Sequence, residues 1–140
     1  MARVAVVYWS GTGNTKAMAN AVVEGAKGNG AEVDLLGPSE FNNDLVSQYD
    51  GIAFGCPAMG AEVLEESEFE PMFSSVEKSL GGKKVALFGS YGWGDGQWMR
   101  DWEERCDSAG INLVTECVMA NEAPDAGDLE KCKELGASLC

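Results

Sequence analysis

The chain contains no histidine. That removes the side chain that most readily gives and takes protons near neutral pH, and with it the commonest metal ligand. Cysteine is present at five positions (Cys56, Cys106, Cys117, Cys132 and Cys140), yet no two form a C-x-x-C pair. Zinc and iron–sulfur ligation both want tighter clustering, so a metal site is not expected. An odd number of scattered cysteines reads as free thiols in a reducing compartment. Basic residues are scarce: 10 Lys and Arg face 23 Asp and Glu, for a net charge of −13. Phosphate backbones repel such a chain, so nucleic acid is not an expected partner. No apolar run approaches the roughly 20 residues needed to span a bilayer. The start, Met1-Ala2-Arg3 leading straight into an apolar run at 4–8, lacks the three-part pattern of a secretory signal. A cytoplasmic monomer with no membrane contact is the expectation. The 140 residues suffice for one domain, 1–140, but leave no material for a second, substrate-binding one.

What is present is a regular alternation. Residues 3–8 (RVAVVY) are apolar and β-branched and run into a glycine-rich turn, which predicts a strand buried on both faces. Residues 15–27 carry Met18, Ala19, Val22, Val23 and Ala26 at helical spacing, and Gly28 and Gly30 stop the helix. Residues 32–36 mix charged and apolar side chains and read as an edge strand. A polar connection (37–43) and a helical turn (45–48) follow. The third strand is 51–55, and residues 70–80 form a helix with Phe73, Val76 and Leu80 on one face. The fourth strand is 84–89, with a helix at 98–109. Residues 112–119 make the fifth strand and 128–139 the closing helix. Short apolar strands alternating with helices predict an α/β fold, with a parallel sheet between two layers of helices.

In an open sheet of this kind, ligands bind beyond the C-terminal ends of the strands, near the point where the winding reverses. The loops after the first, third and fourth strands therefore belong together. The first is Ser10-Gly11-Thr12-Gly13-Asn14-Thr15. Its glycines let successive N–H groups converge, and the helix it opens favours an anion at its N-terminus. It has neither a Walker A ending nor the G-x-G-x-x-G spacing. A glycine-rich turn at a helix start is often only structural, but this many hydroxyl and amide donors favour a phosphate. Lys16, just beyond, reads as part of a solvated face. The second loop is Pro57-Ala58-Met59-Gly60-Ala61-Glu62. Met59 offers an adaptable apolar surface for a flat ring, Gly60 a free peptide, and Glu62 an acceptor for a ring N–H. A plain turn is an equally good reading of this loop alone. The third is Ser90-Tyr91-Gly92-Trp93-Gly94-Asp95-Gly96, whose aromatics make better sense as a stacking platform than as core. A phosphorylated molecule with a flat ring fits all three. FMN fits better than a dinucleotide, because the ribose-binding acid would have to be Glu32 or Asp34 and the matching glycine fingerprint is missing.

The strings VYWSGTGNT (7–15), GCPAMGAE (55–62) and VALFGSYGWGDG (85–96) closely resemble the short-chain flavodoxins of anaerobic bacteria, and the likeness runs along nearly the whole chain. The resemblance implies a three-layer doubly wound sandwich, a five-stranded parallel sheet in order 2-1-3-4-5, and one noncovalently bound FMN. By the same resemblance, Ser10, Gly11, Thr12, Gly13, Asn14 and Thr15 hold the phosphate, and Met59 and Trp93 flank the isoalloxazine. Gly60 turns a carbonyl toward N5 when the ring takes up a proton with the first electron, and Glu62 bonds N3. Pro57, Ala58, Ala61, Ser90, Tyr91, Gly92 and Gly94 complete the cofactor contacts, with Asn121 and Glu122 on a further loop. Pro57 stands where some relatives have a hydroxyl residue, and Ala61 where others have Asp or Ser.

The implied activity is that of a low-potential carrier shuttling single electrons between redox enzymes through the semiquinone/hydroquinone couple. Full reduction leaves a negative charge on the ring in this family. One carboxylate at ~10 Å in an effective dielectric of ~40 disfavours that charge by about 0.8 kcal/mol, or ~35 mV for one electron. Glu62, Glu65, Glu66, Glu68 and Glu70, with no basic residue among them, then form an acidic strip that steers basic-faced redox proteins into transient complexes. The alternative is a small FMN-dependent reductase on the same fold, for which the chain offers little substrate-pocket material. A phospho-receiver domain is excluded, because the strand ends Tyr8-Trp9-Ser10 and Gly55-Cys56-Pro57 offer no aspartate acceptor.

Overall fold

The computed structural model describes residues 2–11, 13–59, 63–92 and 94–140. Its strands are β1 (Arg3–Tyr8), β2 (Glu32–Leu36), β3 (Gly51–Gly55), β4 (Lys84–Tyr91), β5 (Asn112–Leu113) and β6 (Val118–Asn121). The helices are α1 (Asn14–Gly28), α2 (Asn43–Val46), α3 (Phe69–Val76), α4 (Gln97–Ser108) and α5 (Ala126–Ala137), with short 3-10 turns at Pro38–Glu40 and Glu77–Ser79. The strands pair in parallel in the order β2-β1-β3-β4-β5. The chain thus winds outward from β1 to the edge strand β2, then reverses to β3. The switch point lies between β1 and β3, where the expected doubly wound topology puts it.

Alternation along the buried strands feeds two separate cores. Ala5, Val7, Ile52, Phe54, Val85 and Leu87 pack with Phe69, Phe73, Trp98 and Trp102 of α3 and α4. Val4, Val6, Ala53, Ala86 and Phe88 face the other way, onto Met18 and Val22 of α1 and Leu135 of α5. The helices α1 and α5 meet at glycines. A Cβ on Gly25 would lie 1.9 Å from the Lys133 carbonyl oxygen, and one on Gly136 would lie 2.0 Å from that of Val22.

The last strand differs from its expected form. Residues 112–119 do not run unbroken: Val85 pairs with Leu113, and pairing resumes only at Phe88 with Val118. Three steps along β4 are thus matched by five along its neighbour, and the surplus loops out before β6 continues to Asn121. The Val114 amide still bonds Val85 O at 3.0 Å, so the break lies just beyond it. β4 in turn runs two residues past its expected end, because Ser90 and Tyr91 pair with Ala120 and Asn121. Among the described residues, no helix is long and apolar enough to cross a membrane.

Candidate functional site

The three glycine-rich loops begin as extensions of the sheet. Trp9 N–H donates to Gly55 O at 3.0 Å, Cys56 N–H to Phe88 O at 3.2 Å, and Ala58 N–H to Ser90 O at 3.0 Å. Backbone ladders that continue past the strand ends fix the loops relative to one another, so they share one rim.

In the first loop, Ser10 Oγ accepts from the amides of Gly13 (3.1 Å) and Lys16 (3.3 Å). Gly13 sits at φ +94°, a conformation that side-chain-bearing residues rarely adopt. The Trp9 ring lies so close over Gly11 that a Cβ there would be 3.1 Å from it. The first turn of α1 holds no acidic side chain, and among the described residues no acceptor meets the Asn14 or Thr15 amides. The Thr15 hydroxyl, expected among the phosphate donors, is buried and lies 3.0 Å from Ser90 Oγ. It ties the first loop to the third, while its amide remains at the helix end. Thr12 lies outside the described residues.

In the second loop, Pro57, Ala58 and Met59 are half-buried. Met59 N–H donates to Val63 O at 2.9 Å across an antiparallel bridge, and Leu64 drops into the core. Gly60, Ala61 and Glu62 lie outside the described residues. Burial pushes the Cys56 thiol at the loop's base up to about 12, so it is a neutral thiol and no nucleophile. In the third loop, Ser90 and Tyr91 belong to the end of β4. Tyr91 leans on Trp98 with ring centroids 5.5 Å apart, and Trp98 Nε1 donates to Cys56 O at 3.1 Å. Gly92 and Gly94 are exposed, and Trp93 lies outside the described residues.

Between the loops lies a cavity of about 500 Å³. Trp9, Gly11 and Asn14 line it from the first loop, Pro57, Ala58 and Met59 from the second, and Ser90, Tyr91 and Gly92 from the third; Glu122 and Ala123 close it from the segment after β6. Ser10, Gly13, Thr15 and Gly94 are not among its lining residues. Sequence reasoning missed Trp9 and Ala123 as lining residues. An aromatic side chain at the mouth of β1, immediately before the glycine turn, was the available signal for Trp9. Glu122 is the one non-glycine among the described residues with positive φ, at 58°, and its N–H donates to Tyr91 O at 2.7 Å. Left-handed backbone in a residue with a side chain is found most often where surrounding structure imposes it at a site.

The acidic strip is narrower than the sequence implied. Glu65 is 5% exposed, and its carboxylate accepts from the amides of Ser67 (2.8 Å), Glu68 (2.8 Å) and Phe69 (2.9 Å). Glu70 takes a two-pronged contact from Arg105 of α4, at 2.7 and 2.8 Å. Arg105 also reaches Glu77 at 3.0 Å. The strip therefore has a basic partner in space that it lacks in sequence. Among its described members, Glu66 and Glu68 alone are exposed and without an ion pair.

The family model for flavodoxin matches residues 6–136. The chain belongs to the flavodoxin family. It is 48% identical over 133 residues to the flavodoxin of Megasphaera elsdenii, covering 95% of both chains. It is 46% identical over 134 residues to that of Clostridium beijerinckii, covering 96% of both. Among solved structures, the two-electron reduced Megasphaera elsdenii flavodoxin superposes with a TM-score of 0.88 at 47% identity, over 97% of each chain. A flavodoxin from the domain Archaea reaches 0.85 at 27% identity, over 98% of this chain and 95% of that one. Flavodoxins carry electrons on FMN between redox partners. This chain is accordingly an electron carrier, and the reductase alternative is set aside.

Proposed function

We propose that residues 1–140 act as one flavin-binding unit and that the cavity between the three loops is the FMN seat. The observation that carries this reading is the convergence of loops from distant parts of the chain on one largely apolar cavity at the N-terminus of α1. A phosphate and a flat ring fit what lies there. Among the described residues the Asn14 and Thr15 amides have no acceptor, the helix dipole favours an anion, and no carboxylate in the first turn opposes one. Asn14 adds a side-chain amide beside these N–H groups. Trp9, Met59 and Tyr91 offer apolar surface to the ring, and Ser90 adds a hydroxyl held in place by Thr15. Trp93 is proposed to cover the ring on the face opposite Met59, with Gly60 and Glu62 at its edge.

FMN supplies one-electron chemistry when bound; the protein's part is to hold it, exclude water and bias its charge states. Asn14, Ser10 and the surrounding amides bind the phosphate. The apolar walls keep water from the ring. The net charge of −13 opposes further negative charge in the cavity and draws basic-faced redox proteins toward its mouth. We further propose that the protein works as a monomer in the cytoplasm.

The test is to purify the protein, reconstitute it with FMN and follow its visible spectrum during stepwise reduction. A yellow 1:1 complex that is reduced in two separate one-electron stages is the expected result. A protein that binds no FMN, or one that is reduced only in a single two-electron stage, overturns the reading.

A further inference from the structure

We propose that Glu65 is a positioning residue for the second loop: its carboxylate clamps the loop's exit to the start of α3, and the clamp sets the potentials of the bound flavin. The inference rests on the proposal that this loop meets FMN. Three amides, those of Ser67, Glu68 and Phe69, converge on the two carboxylate oxygens at 2.8–2.9 Å. These are the orphan donors of a helix start, which a short Ser, Asp or Asn side chain usually satisfies. Here a longer side chain does so from inside the protein, and the residue's own backbone is also engaged. Glu65 O accepts from Glu70 N at 2.8 Å, and Glu65 N–H donates to Cys56 Sγ at 3.4 Å.

That last contact closes the arrangement. Cys56 is the point where β3 releases the loop, and Glu65 is the point where α3 takes it up. Cys56 is itself fixed by its amide on Phe88 O and by Trp98 Nε1 on its carbonyl. Both ends of the loop are therefore held to one buried point. Between them, Met59 of the cavity wall pairs with Val63, and Leu64 anchors the return in the core. A shift at Glu65 passes through two residues to the strand-like pair that carries Met59. Burial alone would push the Glu65 carboxyl up, but the amides outweigh it and hold it at about 2, so the clamp stays charged at neutral pH.

The test uses the full chain reconstituted with FMN and three variants: Glu65→Gln, Glu65→Asp and the exposed control Glu66→Gln. Glutamine removes the charge and substitutes an N–H₂ for one acceptor oxygen. Aspartate keeps the charge but draws the oxygens back by one methylene. The first readout is the ratio of the equilibrium constants for the two one-electron steps. The second is hydrogen exchange at the Ser67, Glu68 and Phe69 amides in FMN-free protein. We expect both Glu65 variants to bind FMN, to exchange those amides at least tenfold faster, and to change the ratio at least tenfold, which for one electron is ~59 mV. Glu66→Gln leaves the amide exchange unchanged and, as the loss of one exposed charge, moves the ratio by less than tenfold.

Faster exchange with an unaltered ratio would make Glu65 a helix cap only and overturn the proposal. A ratio altered in Glu65→Gln but not in Glu65→Asp would assign the effect to charge and overturn it as well. If Glu65→Gln does not fold, Glu65→Asp alone decides, by the same two readouts. Failure of the wild-type protein to bind FMN would sink the cavity assignment instead, and the amide exchange would still report the clamp.

Discussion

Glu65 and Glu68 stand three residues apart in one acidic stretch and do opposite things. Glu68 is exposed to water, whereas Glu65 spends its charge on three amides inside the protein. The buried carboxyl is held at about 2, below the ordinary value of 4.5. A depressed folded-state value means that the unfolded chain takes up the proton first. The contribution to stability is therefore complete above about 4.5 and is lost as the pH falls toward 2. At about 1.4 kcal/mol per unit, the contribution is on the order of 3 kcal/mol. Urea unfolding of FMN-free protein between pH 6 and pH 2 is expected to fall more steeply for wild type than for Glu65→Gln; parallel curves would contradict this. Gly89 shows a second constraint at single-residue scale. A Cβ there would lie 2.2 Å from Cys56 O, a backbone atom that cannot swing aside, and 3.2 Å from the Trp98 ring. Gly89→Ala is expected to cost about 1–3 kcal/mol in the same assay through overpacking. It should also weaken FMN binding measured by fluorescence titration, because it pushes apart the bases of the second and third loops.

The helices α1 and α5 illustrate a conflict between local preference and packing. Alanine outranks glycine in a helix interior by about 1 kcal/mol, so Gly25 and Gly136 look like candidates for improvement. Each, however, lies with its Cα against the backbone of the opposite helix, where a Cβ would come within 2.0 Å of a carbonyl oxygen. The expected sign is therefore reversed. Gly136→Ala should lower the urea midpoint, and an unchanged or higher midpoint would mean that the helices separate more easily than their close approach implies. The same scale separates what the sequence disclosed from what it hid. β1, β2 and β3 were legible to the residue, because short apolar runs bounded by glycine or charge carry their own limits. The split of the last strand was not, since the stretch Val114-Thr115-Glu116-Cys117 holds no glycine or proline to mark a break, and only the register against β4 reveals the surplus. The three loops were legible through their glycines and donors, and Trp9 was not, because it precedes the glycine turn and carries neither of those marks. Glu65 escaped notice because glutamate is an unusual helix cap, and an acidic run reads as solvated. Its partner amides are local, but its own backbone N–H is tied to Cys56, nine residues away just beyond β3.

Across the whole molecule the charge is −13, and its effect depends on which carboxylates remain free. Long-range attraction sums over all of them, but charges paired at short range contribute little beyond their partners. Glu70 and Glu77 are neutralised in part by Arg105, and Glu65 is surrounded by amide dipoles. Glu66 and Glu68 are exposed, near the second loop, and without an ion pair among the described residues. Encounter with a basic partner should therefore be steered by these two more than by Glu65 and Glu70, which the sequence ranks with them. The rate at which the reduced protein passes an electron to a basic haem protein is expected to fall as salt rises, since the Debye length contracts from ~30 Å at 0.01 M to ~10 Å at 0.1 M. Glu66→Gln with Glu68→Gln should lower the rate at low salt and flatten its salt dependence, with the two rates converging at high salt. Glu70→Gln should leave the slope nearly as in wild type, because it releases Arg105 from one partner while Glu77 retains it. Stopped-flow traces across that range distinguish the two. Equal slopes for wild type and the double variant would mean that the partner docks on another face.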